Sequence, residues 1–253
     1  MDWDLRCGDW RFQLADVEHV DALIVDAPYS KKTHTGHDAA MARLERLRNR
    51  GTERREIVYD GWSELDVRAF VKAWSPRCLG WFVTVTDHVL APVWAAALED
   101  AGRYVFAPLP WVAPGSRVRL VGDGPSCWTC WIVVARPRTR EFTNWGTLPG
   151  AYVINADRGS HIGGKPIALM EALVRDYTRP GDLVCDPCAG YGTTLAAAVR
   201  NGRRGIGAEL DPQTWVKALA WLDRNARAVD MFTTHDSAPA RAVEQLQLEE
   251  VTR

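Results

Sequence analysis

Read for its hydrophobic pattern, the chain alternates strand-like and helix-like segments over most of its length. Nearly continuous apolar runs of strand length stand at ALIVDAP (22–28), LGWFVTVT (79–86), CWTCWIVVA (127–135), LVCDP (183–187) and RGIGAEL (204–210). A shorter run at Asp4–Cys7 stops at Gly8-Asp9, and RYVFAPLPWV (103–112) reads as a strand broken by prolines. Such runs are the signature of strands buried on both faces. Between them the period changes to that of a helix. SELDVRAFVKAW (63–74) has Ser63 as cap with Asp66 three positions on, the spacing of a capping box. Asp87 or His88 opens a helix through PVWAAALEDAG that Gly102 stops. KPIALMEALVRDY (165–177) places apolar residues at 167, 169, 170, 173 and 174, with proline just inside its start. GTTLAAAVRNG (192–202) and PQTWVKALAWLDRNA (212–226) complete the set. Strands alternating with helices predict an α/β fold of the Rossmann-like kind, a mainly parallel sheet with helices on both faces.

Two stretches interrupt the alternation. Residues 30–57 carry eight Lys or Arg against four acidic residues, and within them DAAMARLERLRNRG (38–51) predicts a helix with a narrow apolar stripe. The second is the 107–126 part of 104–150, which is rich in Pro and Gly, carries Arg117 and Arg119, and reads as a loop or small insertion. The tail from Asp230 reads as one more charged helix without an assigned place.

Composition narrows the function classes. With 253 residues, 47% hydrophobic and 25% charged, the chain is expected to form a single globular domain. Its longest apolar runs fall short of the roughly 18 residues of a membrane span, and its acidic start lacks an apolar signal core, so a cytoplasmic location is expected. A net charge of −1 argues against coating nucleic acid through bulk charge; contact with DNA would have to use local basic patches. Two CxxC pairs, Cys127/Cys130 and Cys185/Cys188, have zinc-like spacing. They sit in strand-like runs that send positions i and i+3 to opposite faces, so they are read as small buried thiols, with no metal site.

The sharpest signal is LVCDPCAGYGTTLAAAV (183–199). A strand runs into Asp186, a tight loop follows with Gly190 and Gly192, and a helix opens at Thr193-Thr194. Glycines let backbone approach a ligand closely, and a helix start offers free N–H groups that suit a carboxylate or phosphate. The next strand ends in Glu209, where a carboxylate can take both hydroxyls of a ribose. The loop lacks the lysine of a P-loop and the third glycine of a dinucleotide fingerprint.

CGDWRFQL (7–14), VDALIVDAPYS (20–30) and HIGGKPIALMEALVRDYTRPGDLVCDPCAGYGTTLAAAVRNGRRGIGAELDPQTW (161–215) together resemble an amino-group (N6-adenine/N4-cytosine) DNA methyltransferase. The resemblance is to the permuted β-class type, in which a DPPY-like motif precedes the S-adenosylmethionine-binding motif. Ala27 replaces the first proline of the catalytic motif, Cys188 a phenylalanine, and Ile162 the proline after His161. The resemblance implies S-adenosyl-L-methionine as cofactor, held within a cofactor-binding half at 161–228. Gly190, Gly192, Thr193 and Thr194 would hold its methionine end, with Asp186 near the amino group and Cys188 in the same loop. Glu209 would take the ribose and Asp9 the adenine amino group. Lys165 and Pro166 would start the helix flanking the methionine portion, and His161 marks the approach to it.

The same resemblance makes Asp26, Ala27, Pro28 and Tyr29 catalytic. The exocyclic amino group of a base is a poor nucleophile because its lone pair is delocalised into the ring. The Asp26 carboxylate and the Ala27 carbonyl would accept its two hydrogens, Pro28 would fix the turn, and Tyr29 would stack on a base swung out of the duplex. Asp at the first motif position leans toward adenine N6, with cytosine N4 as the alternative; a DNA-binding module that has lost catalysis is a third reading. Double-stranded DNA is the implied partner, and dimerisation is common in the family. The resemblance makes 104–150 a candidate target-recognition insertion, and DNA contact is expected from the 30–60 segment through Lys31, Lys32, Arg43 and Arg46, and from Arg117 and Arg119. Most of the twelve tryptophans, Trp81 and Trp131 among them, are expected in the core.

Overall fold

Each apolar run becomes a strand, and helices fill most of the intervals between them. The computed structural model describes residues 2–33, 60–114, 125, 127–156 and 164–226. In chain order its elements are β1 (Trp3–Cys7), α1 (Trp10–Gln13), β2 (Ala22–Val25), α2 (Glu64–Trp74), β3 (Phe82–Thr86), α3 (Ala91–Asp100), β4 (Tyr104–Val105), β5 (Leu109–Val112), β6 (Thr129–Arg136), a 3₁₀ turn (Arg140–Asn144), β7 (Tyr152–Val153), α4 (Ile167–Tyr177), β8 (Leu183–Asp186), α5 (Thr193–Arg200), β9 (Arg204–Glu209) and α6 (Pro212–Asn225).

The strands form one sheet in the order β1-β9-β8-β2-β3-β6-β5-β7, with β4 also pairing to β6. From β1 to β3 every pairing is parallel. β6 runs antiparallel to β3, β4 and β5. The sheet is therefore mostly parallel and Rossmann-like. The tips of β1, β9, β8, β2 and β3 all fall on one rim, the edge at which open α/β sheets bind ligands.

The period-2 pattern of the strands sorts their side chains onto two faces. Leu23, Val25, Phe82 and Val133 join α2 and α3 in one core cluster through Phe70, Trp74, Trp94 and Leu98. Ile24, Val83, Val85 and Ile132 join α4 on the other face through Leu169, Met170, Leu173 and Val174. Toward β1 the second face is closed by α5 and α6, where Leu5 meets Leu195, Ala218 and Leu222. The capping box forms as read: Ser63 and Asp66 exchange both bonds at the start of α2.

The strands read within 104–150 form, since β4, β5 and β6 pair into the sheet; residues 115–124, which hold Arg117 and Arg119, lie outside the described residues. Two expectations are corrected. α3 starts at Ala91 rather than at Asp87: Asp87 accepts from the amides of Val89 and Leu90 and holds the turn that leads into it. The thiols are not uniformly buried, since Cys127 is exposed and Cys130 and Cys188 are half-buried; β6 begins only at Thr129, so Cys127 precedes the pleat. Of the two tryptophans, Trp81 is buried and Trp131 packs half-buried against the core. The predicted helix at 38–51 and the tail from Asp230 fall outside the described residues. Among the described residues no helix is long and apolar enough to cross a membrane.

Candidate active site

Two loops 160 residues apart in sequence meet at the centre of the rim. β2 and β8 are paired in parallel, Ala22 with Val184 and Leu23 with Cys185, so Asp26 leaves one strand beside the loop that follows Asp186. That adjacency brings the candidate acceptor next to the candidate cofactor cradle. β9 and β1 continue the rim: Cys7 pairs with Glu209, and the Gly8 amide donates to the Glu209 carbonyl at 2.8 Å. Asp9 thereby stands next to Glu209, and it caps the short α1 through the Arg11 amide at 2.8 Å while its other oxygen pairs with the Arg11 guanidinium at 2.9 Å.

The glycine loop is built around Asp186. Its carboxylate is 1% exposed and accepts from the Cys188 amide at 3.0 Å and the Thr194 hydroxyl at 2.6 Å. Burial pushes it up to about 7, against the pull of those two donors; the Asp26 and Glu209 charges push the same way. Gly190 and Gly192 take positive φ of 53° and 78°, where a side chain would be strained. A Cβ on Gly192 would also meet Leu222 at 2.7 Å. Gly192 is the cap of α5 and supplies no side chain to it, so the first-turn amides are left for a ligand. Gly207 lets β9 pass the loop, since a Cβ there would lie 2.6 Å from the Asp186 carbonyl oxygen. Glu209 accepts from the Asp211 amide at 2.8 Å; burial raises it, and the Asp211 and Gly190 amides pull it back.

These features fit a nucleoside attached to an amino acid. Uncapped amides suit its carboxylate, glycines leave room for backbone approach, and a partly exposed acid at the end of β9 suits a diol. Cys188 is half-buried in the same loop, and burial together with the Asp186 charge raises its thiol, which leaves it an inert packing group rather than a nucleophile.

The candidate catalytic loop after β2 is held from three sides. Ala27 is 2% exposed and packs in the cluster with Val25 and Trp94, so the small residue fills core rather than cleft. The Tyr29 carbonyl accepts from the Trp62 amide at 2.9 Å, and Trp62 stacks on Trp94 with ring centroids 5.9 Å apart. Gly61 allows this approach, as a Cβ would sit 2.7 Å from the Lys31 amide nitrogen. From β3, Asp87 accepts through one oxygen from the Ser30 amide at 2.9 Å, the Ser30 hydroxyl at 2.5 Å and the Thr33 hydroxyl at 2.5 Å. Burial would raise Asp87, but the hydroxyls of Ser30 and Thr33 and the amides around it outweigh burial and leave it below the ordinary value.

Lys165 stands directly before α4, as read, and turns its ammonium to the loop after β2. Its Nζ donates to Asp26 Oδ2 at 2.6 Å and stands 4.8 Å from the centroid of the Tyr29 ring. Pro166 then caps α4. Sequence reading missed this pairing, and it missed Asp87, Gly61 and Trp62 as supports of the catalytic loop. The signals available were Asp87 at the end of an apolar run and Gly-Trp directly before a helix cap. Lys31 and Lys32 sit exposed just after the catalytic loop. His161, Arg43 and Arg46 lie outside the described residues. A separate cavity of about 370 Å³, lined by Trp81, Phe106, Phe142, Trp145 and Tyr177, lies at the opposite end of β3 and holds none of the site residues.

A family model for DNA methylases, N6_N4_Mtase, matches residues 85–218, more than half of the chain. The chain belongs to this family. The matched stretch holds Lys165, the glycine loop and Glu209, and begins after Asp26. Among curated proteins, a DNA adenine methyltransferase of Escherichia coli, YhdJ, is 39% identical over 64 residues, 25% of this chain and 22% of that protein. The chain thus aligns with about a fifth of that relative's length. Among solved structures, the complex of M1.HpyAVI with SAM superposes with a TM-score of 0.62 at 20% identity, covering 87% of this chain and 99% of that one. The cytosine-N4-specific PvuII DNA methyltransferase superposes at 0.61 with 13% identity, covering 98% and 94%. At such identities the two structures establish the shared fold.

Proposed function

We propose that this chain transfers a methyl group from S-adenosyl-L-methionine to the exocyclic N6 of adenine in double-stranded DNA. The observation that carries the proposal is the side-by-side placement of the Asp26 tip of β2 and the Asp186 glycine loop of β8. Membership of the DNA methylase family supports it, as does the SAM named in the complex of a structural neighbour. When bound, the cofactor supplies a methyl group on a sulfonium sulfur, to be taken by a nucleophilic nitrogen while the C–S bonding pair returns to sulfur and the methylated nitrogen gives up one proton, ultimately to solvent.

The chain's own residues do the positioning. The amides at the start of α5 would hold the methionine carboxylate, Glu209 the ribose, and Asp9 the adenine end. Asp186, with both oxygens engaged, would act by bracing the loop as well as by its charge. Asp26 would accept from the target amino group and localise its lone pair, the Ala27 carbonyl would take the second hydrogen, and Tyr29 would stack on the extruded base. The rate would come from orientation and from fixed charge at the reacting nitrogen.

Asp26 at the first motif position and the adenine methyltransferase among the relatives favour N6. The N4-specific neighbour keeps cytosine as the second reading, since a carboxylate and a carbonyl can hold either amino group. The test is incubation with methyl-labelled cofactor and unmodified duplex DNA, followed by digestion to nucleosides. N6-methyladenine is the expected product. N4-methylcytosine alone would overturn the choice of base, and no incorporation into any duplex would overturn the proposal.

A further inference from the structure

The carboxylate assigned to the target amino group already has a partner, and the partner lies within ion-pair distance of both its oxygens. Lys165 Nζ donates to Asp26 Oδ2 at 2.6 Å. It is also 2.6 Å from Oδ1, yet Oδ1 is buried and has no aligned hydrogen-bond donor among the described residues. The ammonium charge compensates this oxygen at that distance, and a carboxylate keeps further lone-pair capacity for an N–H donor. The Lys165 side chain is 9% exposed and that of Asp26 23%, so the open part of the pair belongs to the acid. The ammonium also stands 4.8 Å from the Tyr29 ring centroid, within reach of cation–π attraction. Lys165 is therefore fixed by two members of the catalytic loop although it belongs to the segment that starts α4.

We propose that Lys165 is the counter-ion of Asp26: it holds the carboxylate ionised and oriented to accept from the amino group of the incoming base. The inference rests on the methyltransferase reading and assigns Lys165 a positioning role within that site. An acid that accepts must be ionised, since a neutral carboxyl would offer its own proton to the amino group. The surroundings of Asp26 work against ionisation. Burial raises it, and Lys165 is the group that pulls it down. From β8 and its loop, the Asp186 carboxylate and the Cys188 thiol face the same space, and each interacts with the Asp26 charge in the raising direction. From β3, Asp87 is committed to Ser30 and Thr33. On Asp26's own loop the neighbour is Tyr29.

The test reads the carboxyl group directly. The full chain, labelled with ¹³C at aspartate carboxyls, is titrated without cofactor or DNA between about pH 4 and 10, with the Asp26 signal assigned through Asp26→Asn. In Lys165→Met and Lys165→Gln the Asp26 midpoint is expected to move up by about 1 to 3 pH units relative to wild type, the size of shift an adjacent opposite charge produces. An unmoved midpoint in a folded variant overturns the proposal. In the wild type, which needs no substitution, the Lys165 Nζ ¹⁵N signal is expected to step at the Asp26 midpoint, and absence of that step overturns it too. Neither readout depends on methyl transfer, so failure of the broader reading would show separately as a wild type silent on every duplex. In active variants the acid limb of the kcat/KM profile is expected to rise with the midpoint and activity to recover at alkaline pH; a limb that stays in place counts against the counter-ion role.

Discussion

At the residue scale the site depends on carboxylates whose burial is opposed by specific donors. Asp26→Ala is expected to lower kcat by about 10²- to 10⁴-fold, the range for a positioned group that acts on a reacting proton. Cofactor affinity should change little, because Asp26 stands on the β2 side of the cleft. Labelled-methyl incorporation beside calorimetric cofactor binding separates the two. Asp186 makes a pH-dependent case. Its folded value is raised from 3.8 to about 7, so between these values the folded state binds more protons than the unfolded state. Its contribution to stability is then fully present below about pH 4 and is lost as pH rises through 7. Cofactor binding should run the other way if the ionised form braces the loop and meets the methionine ammonium. Affinity is expected to rise by up to about tenfold per pH unit below 7 and to level off above it. Calorimetry across this range checks the sign, and Asp186→Asn should flatten the curve.

At the element scale, turns and close approaches decide whether the loops reach each other. Gly192→Ala would combine a positive φ with a Cβ 2.7 Å from Leu222, and Gly207→Ala would press on the Asp186 carbonyl oxygen, which is backbone and cannot give way easily. Both are expected to cost about 1 to 3 kcal/mol of stability and to weaken cofactor binding, measured by chemical unfolding and titration. The obstacle is backbone at Gly207 and the fully buried Leu222 side chain at Gly192, so the loss should be the larger at Gly207 for strand pairing and at Gly192 for the ligand. Asp87→Asn tests the clamp between the turn after β3 and the loop after β2. Removing the charge from three donors is expected to lower kcat by about tenfold or more with little change in cofactor affinity, and to speed amide exchange at Ser30.

At the scale of the whole molecule, the parallel half of the sheet supplies the rim and the antiparallel half extends it. The exposed Lys31 and Lys32 directly follow the candidate catalytic loop, and so lie on the path proposed for the duplex. Replacing both with glutamine is expected to weaken DNA binding similarly across sequences and to reduce the salt-dependence slope by about one for each phosphate no longer neutralised. Fluorescence anisotropy on unrelated duplexes at several salt concentrations measures it.

Much of this was legible in order. The apolar runs and helical periods located the elements because burial on one or both faces leaves a local pattern, and Ser63 and Gly102 marked ends because capping and positive φ are local demands. Asp186, Gly190, Gly192 and Glu209 were readable for the same reason: each closes a strand or opens a helix within its own segment. What sequence alone could not fix was which strands lie together. That β8 pairs with β2, placing Asp186 beside Asp26, and that Lys165 reaches across 139 residues to Asp26 follow from packing two faces of one sheet, a matter of long-range geometry. Asp87 and Trp62 belong to the same class, for they act on a loop that only the tertiary fold brings to them. The sequence determined the local conformations and the chemistry available; the tertiary structure decided which charges face each other, because electrostatic partnership depends on distance in space and not along the chain.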